Sequence, residues 1–169
     1  GGGTIGKFEP VTRWVGADQQ HRAEALVGPG VELVSLALDD AWMRDSGPTY
    51  TIEADGSLGA VDWIFNGWGS QDWACWDHDQ DLARAVAART GVTPRHSALT
   101  NEGRGLDVDG GGTMLLNATV QLDPHRTPPW TNKPARPRRH PPLAPTHDYL
   151  LPPRPRPAQP QFPPPGPRP

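Results

Sequence analysis

The sequence predicts an α/β fold that ends in a proline-rich tail, and three observations support this interpretation. Short apolar segments alternate with one-sided helical patterns as far as residue 117. The connections between these segments are short and contain glycine or proline. Of the 22 prolines, four precede residue 123 and eighteen follow it. Because such a proline density opposes both helix and sheet, residues 124–169 are predicted to be disordered.

The first predicted unit is a strand, a helix and a second strand. Residues 10–16 are β-branched and aromatic and end at glycine, which is typical of a short strand. Residues 17–27 follow as a helix, and the sequence Gly28-Pro29-Gly30 ends it. The apolar run 31–38 is expected to be a buried strand. Tight joints predict a βαβ unit with parallel strands, so the next loop leaves the carboxyl end of the second strand.

The next predicted unit is a hairpin followed by a helix. Residues 49–53 and 60–65 flank Asp55-Gly56, which is a strong hairpin signal. Residues 77–90 are predicted to form a helix with acids in its first turn and Gly91 at its end. The acids Asp77, Asp79 and Asp81 could also suggest a calcium loop, but the glycine and distal glutamate of such a loop are missing.

The remaining segments before the tail are less regular. Residues 66–76 hold three tryptophans and two glycines, and are expected to be an irregular aromatic loop. Residues 99–109 are polar and broken by glycine, whereas residues 112–117 are predicted to be a short buried strand. Trp14 and Trp63 lie in strand patterns and are expected in the core.

Composition limits the class of protein. The net charge of −3 averages an acidic body and a basic tail, so it argues neither for nor against nucleic acid. The single cysteine, Cys75, excludes an internal disulfide and fits a reducing compartment. Neither an apolar run of roughly 20 residues nor a signal-peptide pattern is present, so a cytoplasmic location is expected. The chain opens on glycines without methionine, which suggests a fragment.

The loop after the second strand has the residue types of a cation site. Residues 38–49 hold three aspartates, Arg44 and Trp42, and end in Gly-Pro. A carboxylate can take two N–H donors of a guanidinium in a fork while an indole covers its flat face. The alternative is structural: Asp39 and Asp40 cap a turn, Arg44 pairs with one of them, and Trp42 belongs to the core.

Four segments together resemble the agmatine deiminase family, which is related to the bacterial peptidylarginine deiminases. They are residues 39–49, 61–69, 101–103 (Asn-Glu-Gly) and 108–110 (Val-Asp-Gly), in the family's order and at similar spacing. The resemblance runs from about Phe8 to about Asp123. Residues 1–7 are then a disordered start, 8–123 a partial deiminase domain and 124–169 a proline- and arginine-rich tail, which out-of-frame translation would explain.

The resemblance implies a fold and an activity. The fold is the pentein β/α-propeller, built from five repeated units around a central site, of which this chain covers a part. The reaction is hydrolysis of agmatine to N-carbamoylputrescine and ammonia in putrescine and polyamine synthesis. A cysteine thiolate attacks the guanidinium carbon and a histidine moves protons, so neither metal nor cofactor is expected. The expected partner is a small guanidino cation, without nucleic acid or membrane, and an open propeller is expected to self-associate.

The resemblance also implies roles for individual residues. Asp45 holds the guanidinium nitrogens and so takes part in catalysis, Trp42 packs on the substrate, and Glu102 contacts it. The alternatives are a loop-capping carboxylate for Asp45 and a surface acid for Glu102. The family is glycine-rich after Asn-Glu-Gly with a histidine near Val-Asp-Gly, whereas this chain has Arg104 and Asp107 there.

The nucleophile and proton shuttle of the family have no counterpart in this sequence. Cys75 lies in the tryptophan loop and is expected to be a bystander, while His125, His140 and His147 lack the flanking residues of the motif. The chain is therefore expected to be inactive on its own. Three other functions stay open: a non-catalytic interaction protein with a partner-binding proline arm, action on peptidylarginine, and a carbohydrate-binding module that uses Trp68 or Trp73.

Overall fold

The computed structural model describes residues 2–126 and 147–152 of the 169-residue chain. Short strands, helices and 3₁₀ turns alternate along it. In chain order they are α1 (Gly2–Ile5), β1 (Val11–Val15), a 3₁₀ turn (Ala17–Gln19), α2 (Gln20–Leu26), β2 (Val31–Ser35), α3 (Met43–Ser46), β3 (Thr49–Ile52), β4 (Leu58–Ile64), α4 (Gly67–Ser70), a 3₁₀ turn (Asp79–Asp81), α5 (Leu82–Arg89), β5 (Arg95–Thr100), a 3₁₀ turn (Gly103–Gly105), β6 (Leu106–Val108), β7 (Thr113–Asn117), α6 (Ala118–Gln121) and β8 (His147–Leu151). The mixed α/β class predicted from the sequence is confirmed.

The first unit matches the predicted βαβ arrangement. Strands β1 and β2 pair in parallel, with Val11 opposite Val31. The connecting helix starts as a 3₁₀ turn and continues as α2. Strand β2 ends at Ser35, three residues before the predicted end, and it is half-buried on average instead of fully buried. One helical turn, α1, lies where the sequence suggested a disordered start.

The second sheet contains the predicted hairpin and a strand that the sequence analysis missed. Strands β3 and β4 pair antiparallel, and Gly56 in their turn has a φ of +83°, which glycine adopts without strain. The helical segment 77–90 is confirmed as a 3₁₀ turn followed by α5. Strand β5 then pairs in parallel with β4, but its register shifts between Asp62 and Ile64.

The third sheet repeats the order of the second. Strands β6 and β7 form an antiparallel pair, and β8 lies parallel to β7. Strand β8 falls inside the tail predicted to be disordered, and so differs from that prediction. The physical reason is local, because residues 147–151 are free of proline and can supply every N–H of the strand. The remaining tail, 127–146 and 153–169, lies outside the described residues.

The main hydrophobic core joins the second and third sheets. Its members come from β4, β6 and β7, with one half-buried leucine from β5 packed against them; they are Val61, Trp63, Leu106, Met114 and Leu116, with Leu99 beside them. Trp63 is buried as expected, whereas Trp14 is only half-buried. Among the described residues, the helices are too short or too polar to cross a membrane.

Candidate functional site

The connections that follow β2, β4, β5 and β7 meet at one place. Each leaves the carboxyl end of its strand, the edge at which parallel sheets usually place ligand sites. Contacts between side chains join these connections. Trp68, after β4, and Arg104, after β5, both contact Asp45 in the connection after β2. Arg126, beyond β7, pairs with Glu102 after β5.

Asp45 lies at the centre of this meeting point and is only 1% exposed. Its Oδ1 atom accepts a hydrogen bond of 3.2 Å from the indole Nε1 of Trp68. The same oxygen is 3.2 Å from Nε of Arg104, with which it forms an ion pair. Its Oδ2 atom is buried and has no hydrogen-bond partner among the described residues. Such an atom is an open acceptor, since a buried carboxylate oxygen strongly favours a donor.

Two tryptophans form the apolar walls beside this carboxylate. The rings of Trp42 and Trp68 meet edge to face, with centroids 5.6 Å apart. The guanidinium carbon of Arg104 lies 5.1 Å from the Trp42 centroid, over the ring. Trp42 is 37% exposed, so it is not a core residue, and Asp40 fixes its ring by accepting the indole N–H at 2.7 Å. A carboxylate and an indole therefore hold a guanidinium here, as the residue types suggested.

The structural alternative for this loop differs from the structure. Asp40 accepts the N–H of the next residue, Ala41, through Oδ1 at 2.7 Å, which is a shorter reach than that of a turn cap. Within residues 2–126, Arg44 does not pair with Asp39 or Asp40. Its Nη2 atom lies 3.7 Å from Oδ1 of Asp107.

The loop that carries Trp68 has an unusual backbone. Trp68 has a φ of +60°, a conformation that non-glycine residues rarely adopt and that often marks functional sites. Gly67 before it has no room for a side chain, because a Cβ atom would lie 2.2 Å from the ring of Trp76. Trp68 also stacks on Trp73, with ring centroids 5.2 Å apart. Trp68 lies in the aromatic loop predicted from the sequence, but its hydrogen bond to Asp45 was not predicted.

Glu102 is a buried acid, not the surface acid that was the alternative. It is 3% exposed and pairs with Nη1 of Arg126, whose side chain is itself 7% exposed. Arg126 also pairs through Nε with Asp123 at 3.2 Å. Burial raises the pKa of Glu102 above its usual range, repulsion from Asp45 and Asp123 adds to this rise, and the charge and hydrogen bond of Arg126 oppose it.

The turn between β5 and β6 presents Arg104 between two glycines. A Cβ atom on Gly103 would lie 2.3 Å from the backbone oxygen of Arg44, and one on Gly105 would lie 2.5 Å from Oδ1 of Asn101. Side chains are therefore excluded on both sides of Arg104. This close packing fixes the backbone of the turn against α3 and places the arginine beside Asp45.

A second cluster of polar groups anchors the loop after β2. Asp39 accepts the backbone N–H of His78 at 2.7 Å and contacts its ring Nδ1 at 3.0 Å. Asp79 accepts the backbone N–H of Asp39 at 2.9 Å and that of Asp40 at 3.2 Å. The hydrogen bond and charge of Asp39 raise the pKa of His78, while burial raises that of Asp79. These acids organise a loop, and Cys75 lies nearby in sequence as an exposed thiol.

The fold is shared with solved deiminases. The agmatine deiminase of Enterococcus faecalis superposes with a TM-score of 0.80 at 26% identity, and the overlap covers 89% of this chain and 42% of that one. An agmatine deiminase from Stutzerimonas stutzeri is 38% identical over 129 residues, which are 73% of this chain and 35% of that protein. A Streptomyces coelicolor protein named "Putative agmatine deiminase" is 48% identical over 148 residues, which are 88% of this chain and 44% of that protein.

The fold is that of solved agmatine deiminases, and the family model identifies the class of protein. The model of the Porphyromonas-type peptidyl-arginine deiminases matches residues 3–138, and the chain belongs to that family. The match extends beyond residues 8–123, the span of the resemblance seen in the sequence. The chain spans less than half the length of these relatives, so it corresponds to a part of them.

Proposed function

We propose that this chain supplies the substrate-binding carboxylates of an agmatine deiminase. The observation that carries the proposal is Asp45, a buried carboxylate with one unpartnered oxygen, set beside Trp42 and already paired with a guanidinium. Deiminase relatives with 38% identity add independent support. The reaction is hydrolysis of agmatine to N-carbamoylputrescine and ammonia, a step towards putrescine.

Asp45 and Trp42 would fix the plane of the guanidinium. A buried carboxylate that accepts two parallel N–H donors orients the group, and the indole face covers one side of it. The central carbon is then exposed on the opposite side to a nucleophile. Fixing the reacting group in this way can contribute a large part of a rate enhancement, because it removes rotational freedom before the chemical step.

Glu102 would serve as the second acid of the site, in a different state from Asp45. Burial raises its pKa in spite of the opposing charge of Arg126, so it is easier to protonate than an exposed glutamate. It can therefore accept an N–H from the substrate when ionised or hold a proton at Oε when neutral.

Turnover needs a thiolate that attacks the guanidinium carbon, expels ammonia and then yields the ureido product to water. The one cysteine of this sequence, Cys75, is exposed and is not among the groups that contact Asp45 in the described part of the chain. We therefore propose that the 169-residue chain binds guanidino compounds without turning them over. Its three sheets would form part of a five-unit propeller.

Self-association is also proposed, on the basis of exposed apolar side chains. Phe8 is 85% exposed, Leu26 75% and Ile52 74%. Where such side chains form one contiguous patch, they favour contact with another protein surface. Sedimentation velocity at increasing protein concentration tests this proposal, and a concentration-independent monomer contradicts it.

Calorimetric titration of the 169-residue chain with agmatine tests the binding proposal. Asp45→Asn should weaken agmatine binding by about tenfold or more, because a charged hydrogen bond contributes about 1.5–3 kcal/mol. Asp107→Asn is the matched control: it removes the same charge from a nearby exposed acid, and the affinity should change less than twofold. Equal affinities for the wild type and the Asp45 variant contradict the proposal. Parallel titration with N-acetylarginine amide distinguishes a peptidylarginine ligand from agmatine.

A further inference from the structure

We propose that Arg104 is an internal occupant of the guanidinium subsite, and that an incoming guanidino ligand must displace it. The inference rests on the proposed function, because it concerns the same subsite. The binding proposal needs Asp45 and Trp42, but it does not need Arg104 to fill the subsite. The two can therefore fail separately.

The contacts of Arg104 are those expected of a ligand. Its Nε atom lies 3.2 Å from Oδ1 of Asp45, and its guanidinium carbon lies over Trp42 at 5.1 Å from the ring centroid. A buried carboxylate on one edge and an indole on one face are the two features that recognise a planar guanidinium. Two guanidinium groups cannot contact Oδ1 of Asp45 and the ring of Trp42 in this way at the same time.

Arg104 is held in a way that allows it to leave. Its side chain is 56% exposed, so only part of the arginine is enclosed. It pairs with Oδ1 of Asp45, while Oδ2 of the same carboxylate stays without a hydrogen-bond partner among the described residues. A free ligand can approach so that its two N–H groups engage both oxygens, which is the stronger arrangement. The ligand thereby gains a contact that Arg104 does not make.

Displacement requires only the side chain to move. The backbone on both sides of Arg104 is fixed by glycines that pack against Arg44 and Asn101. A rotation about the side-chain bonds carries the guanidinium into solvent without moving the turn. Arg104 therefore lowers the affinity of the subsite for small cations and excludes ligands too weak to replace it.

The size of the effect follows from how often the subsite is open. When an internal group fills a site for nine-tenths of the time, the apparent dissociation constant rises about tenfold. At that occupancy, Arg104→Gln should bind agmatine about tenfold more tightly than the wild type. Arg104→Lys keeps the charge but loses the planar fork, so its affinity should approach that of the glutamine variant.

Calorimetric titrations of the 169-residue chain with agmatine test whether Arg104 occupies the subsite. The control is Arg44→Gln, which removes the same charge from the helix beside Asp45 and separates occupancy from general electrostatics. Tighter binding by both Arg104 variants, with the control unchanged within twofold, supports the inference. Equal affinity in the wild type and Arg104→Gln overturns it while leaving the proposed function intact. Equal gains in the Arg44 and Arg104 glutamine variants overturn it as well, because charge alone would then explain the result.

A measurement without ligand covers the case in which no variant binds agmatine, which would refute the proposed function. The side-chain NMR resonances of Arg104 should be shifted upfield by the ring current of Trp42, relative to those of the exposed Arg13. Asp45→Asn should abolish that shift, because the arginine loses its anchor. Resonances of Arg104 that match those of Arg13 in the wild type overturn the inference.

Discussion

The buried pair of Glu102 and Arg126 makes stability depend on pH once the arginine is removed. Arg126→Met keeps much of the side-chain volume but leaves Glu102 without its cation. Burial already raises the pKa of Glu102, and Arg126 is the group that opposes this rise. In the variant the pKa should therefore rise further, and the native state should hold a proton that the unfolded chain releases.

The loss of stability in the variant has an upper bound, because the folded state can avoid an unpaired buried charge by protonating Glu102. A carboxylic acid with an ordinary pKa of 4.5 costs about 1.36 kcal/mol per pH unit to keep neutral above that pKa. At pH 7.5 the bound is about 4 kcal/mol, and at pH 5.0 it falls to about 0.7 kcal/mol. Loss of a buried ion-pair partner typically costs 3–5 kcal/mol, so the bound should nearly be reached at pH 7.5.

The sign follows from linkage. Since the folded state of the variant binds the proton more tightly than the unfolded state, its stability falls as pH rises from the unfolded pKa to the folded pKa. Above the folded pKa the loss stays constant. The variant should therefore lose up to about 4 kcal/mol relative to the wild type at pH 7.5, reduced by what the raised pKa of Glu102 already costs the wild type, and recover most of that difference at pH 5.0.

Urea unfolding at both pH values measures this difference. The double variant Arg126→Met, Glu102→Gln is the control, because it removes the acid that titrates. Its stability should change much less between the two pH values than that of the single variant. A single Arg126 variant that loses less than about 1 kcal/mol at pH 7.5, or equal amounts at both pH values, refutes the reasoning.

Three further substitutions test separate features. Gly105→Ala should cost about 1–3 kcal/mol in urea unfolding, because its Cβ would lie 2.5 Å from a buried amide oxygen; no measurable loss would contradict the tight turn. Asp39→Asn should return the raised pKa of His78 towards its usual range in an NMR titration, and an unchanged titration would show that another group causes the rise. Met114→Ala should cost about 2–5 kcal/mol because it opens a cavity between two sheets, whereas the exposed Leu115→Ala should cost far less; similar losses would place the core elsewhere.

Local sequence patterns were sufficient to predict the elements whose turns or caps are encoded within their own sequence. The first βαβ unit, the hairpin around Asp55-Gly56 and the helix after residue 77 each carry turn or capping signals in their own sequence. Strand β5 was missed because its sequence, Arg-His-Ser-Ala-Leu-Thr, has weak strand patterning and becomes a strand by pairing with β4. Tertiary pairing overrode local preference there.

Candidate residues could be identified from the sequence where a motif carried the signal, whereas long-range contacts could not. Asp45, Trp42 and Glu102 lie in recognisable motifs, and the structure places Asp45 and Trp42 around one guanidinium. Nothing in the sequence near Trp68 indicates that its indole binds an aspartate 23 positions earlier. The partner of Arg104 was equally hidden, because such contacts depend on how separate sheets dock.

The register shift between β4 and β5 makes the site more sensitive to insertions and deletions than to substitutions. Asp62 lies opposite His96, yet Ile64 lies opposite Thr100, so four steps along one strand match two along the other. This offset decides which residues emerge at the carboxyl end, where Glu102 follows. Since neighbouring strand residues point to opposite faces, a one-residue deletion in β5 would turn Glu102 away from Arg126. Variation that preserves chain length should thus be tolerated in β5 far more readily than a single deletion.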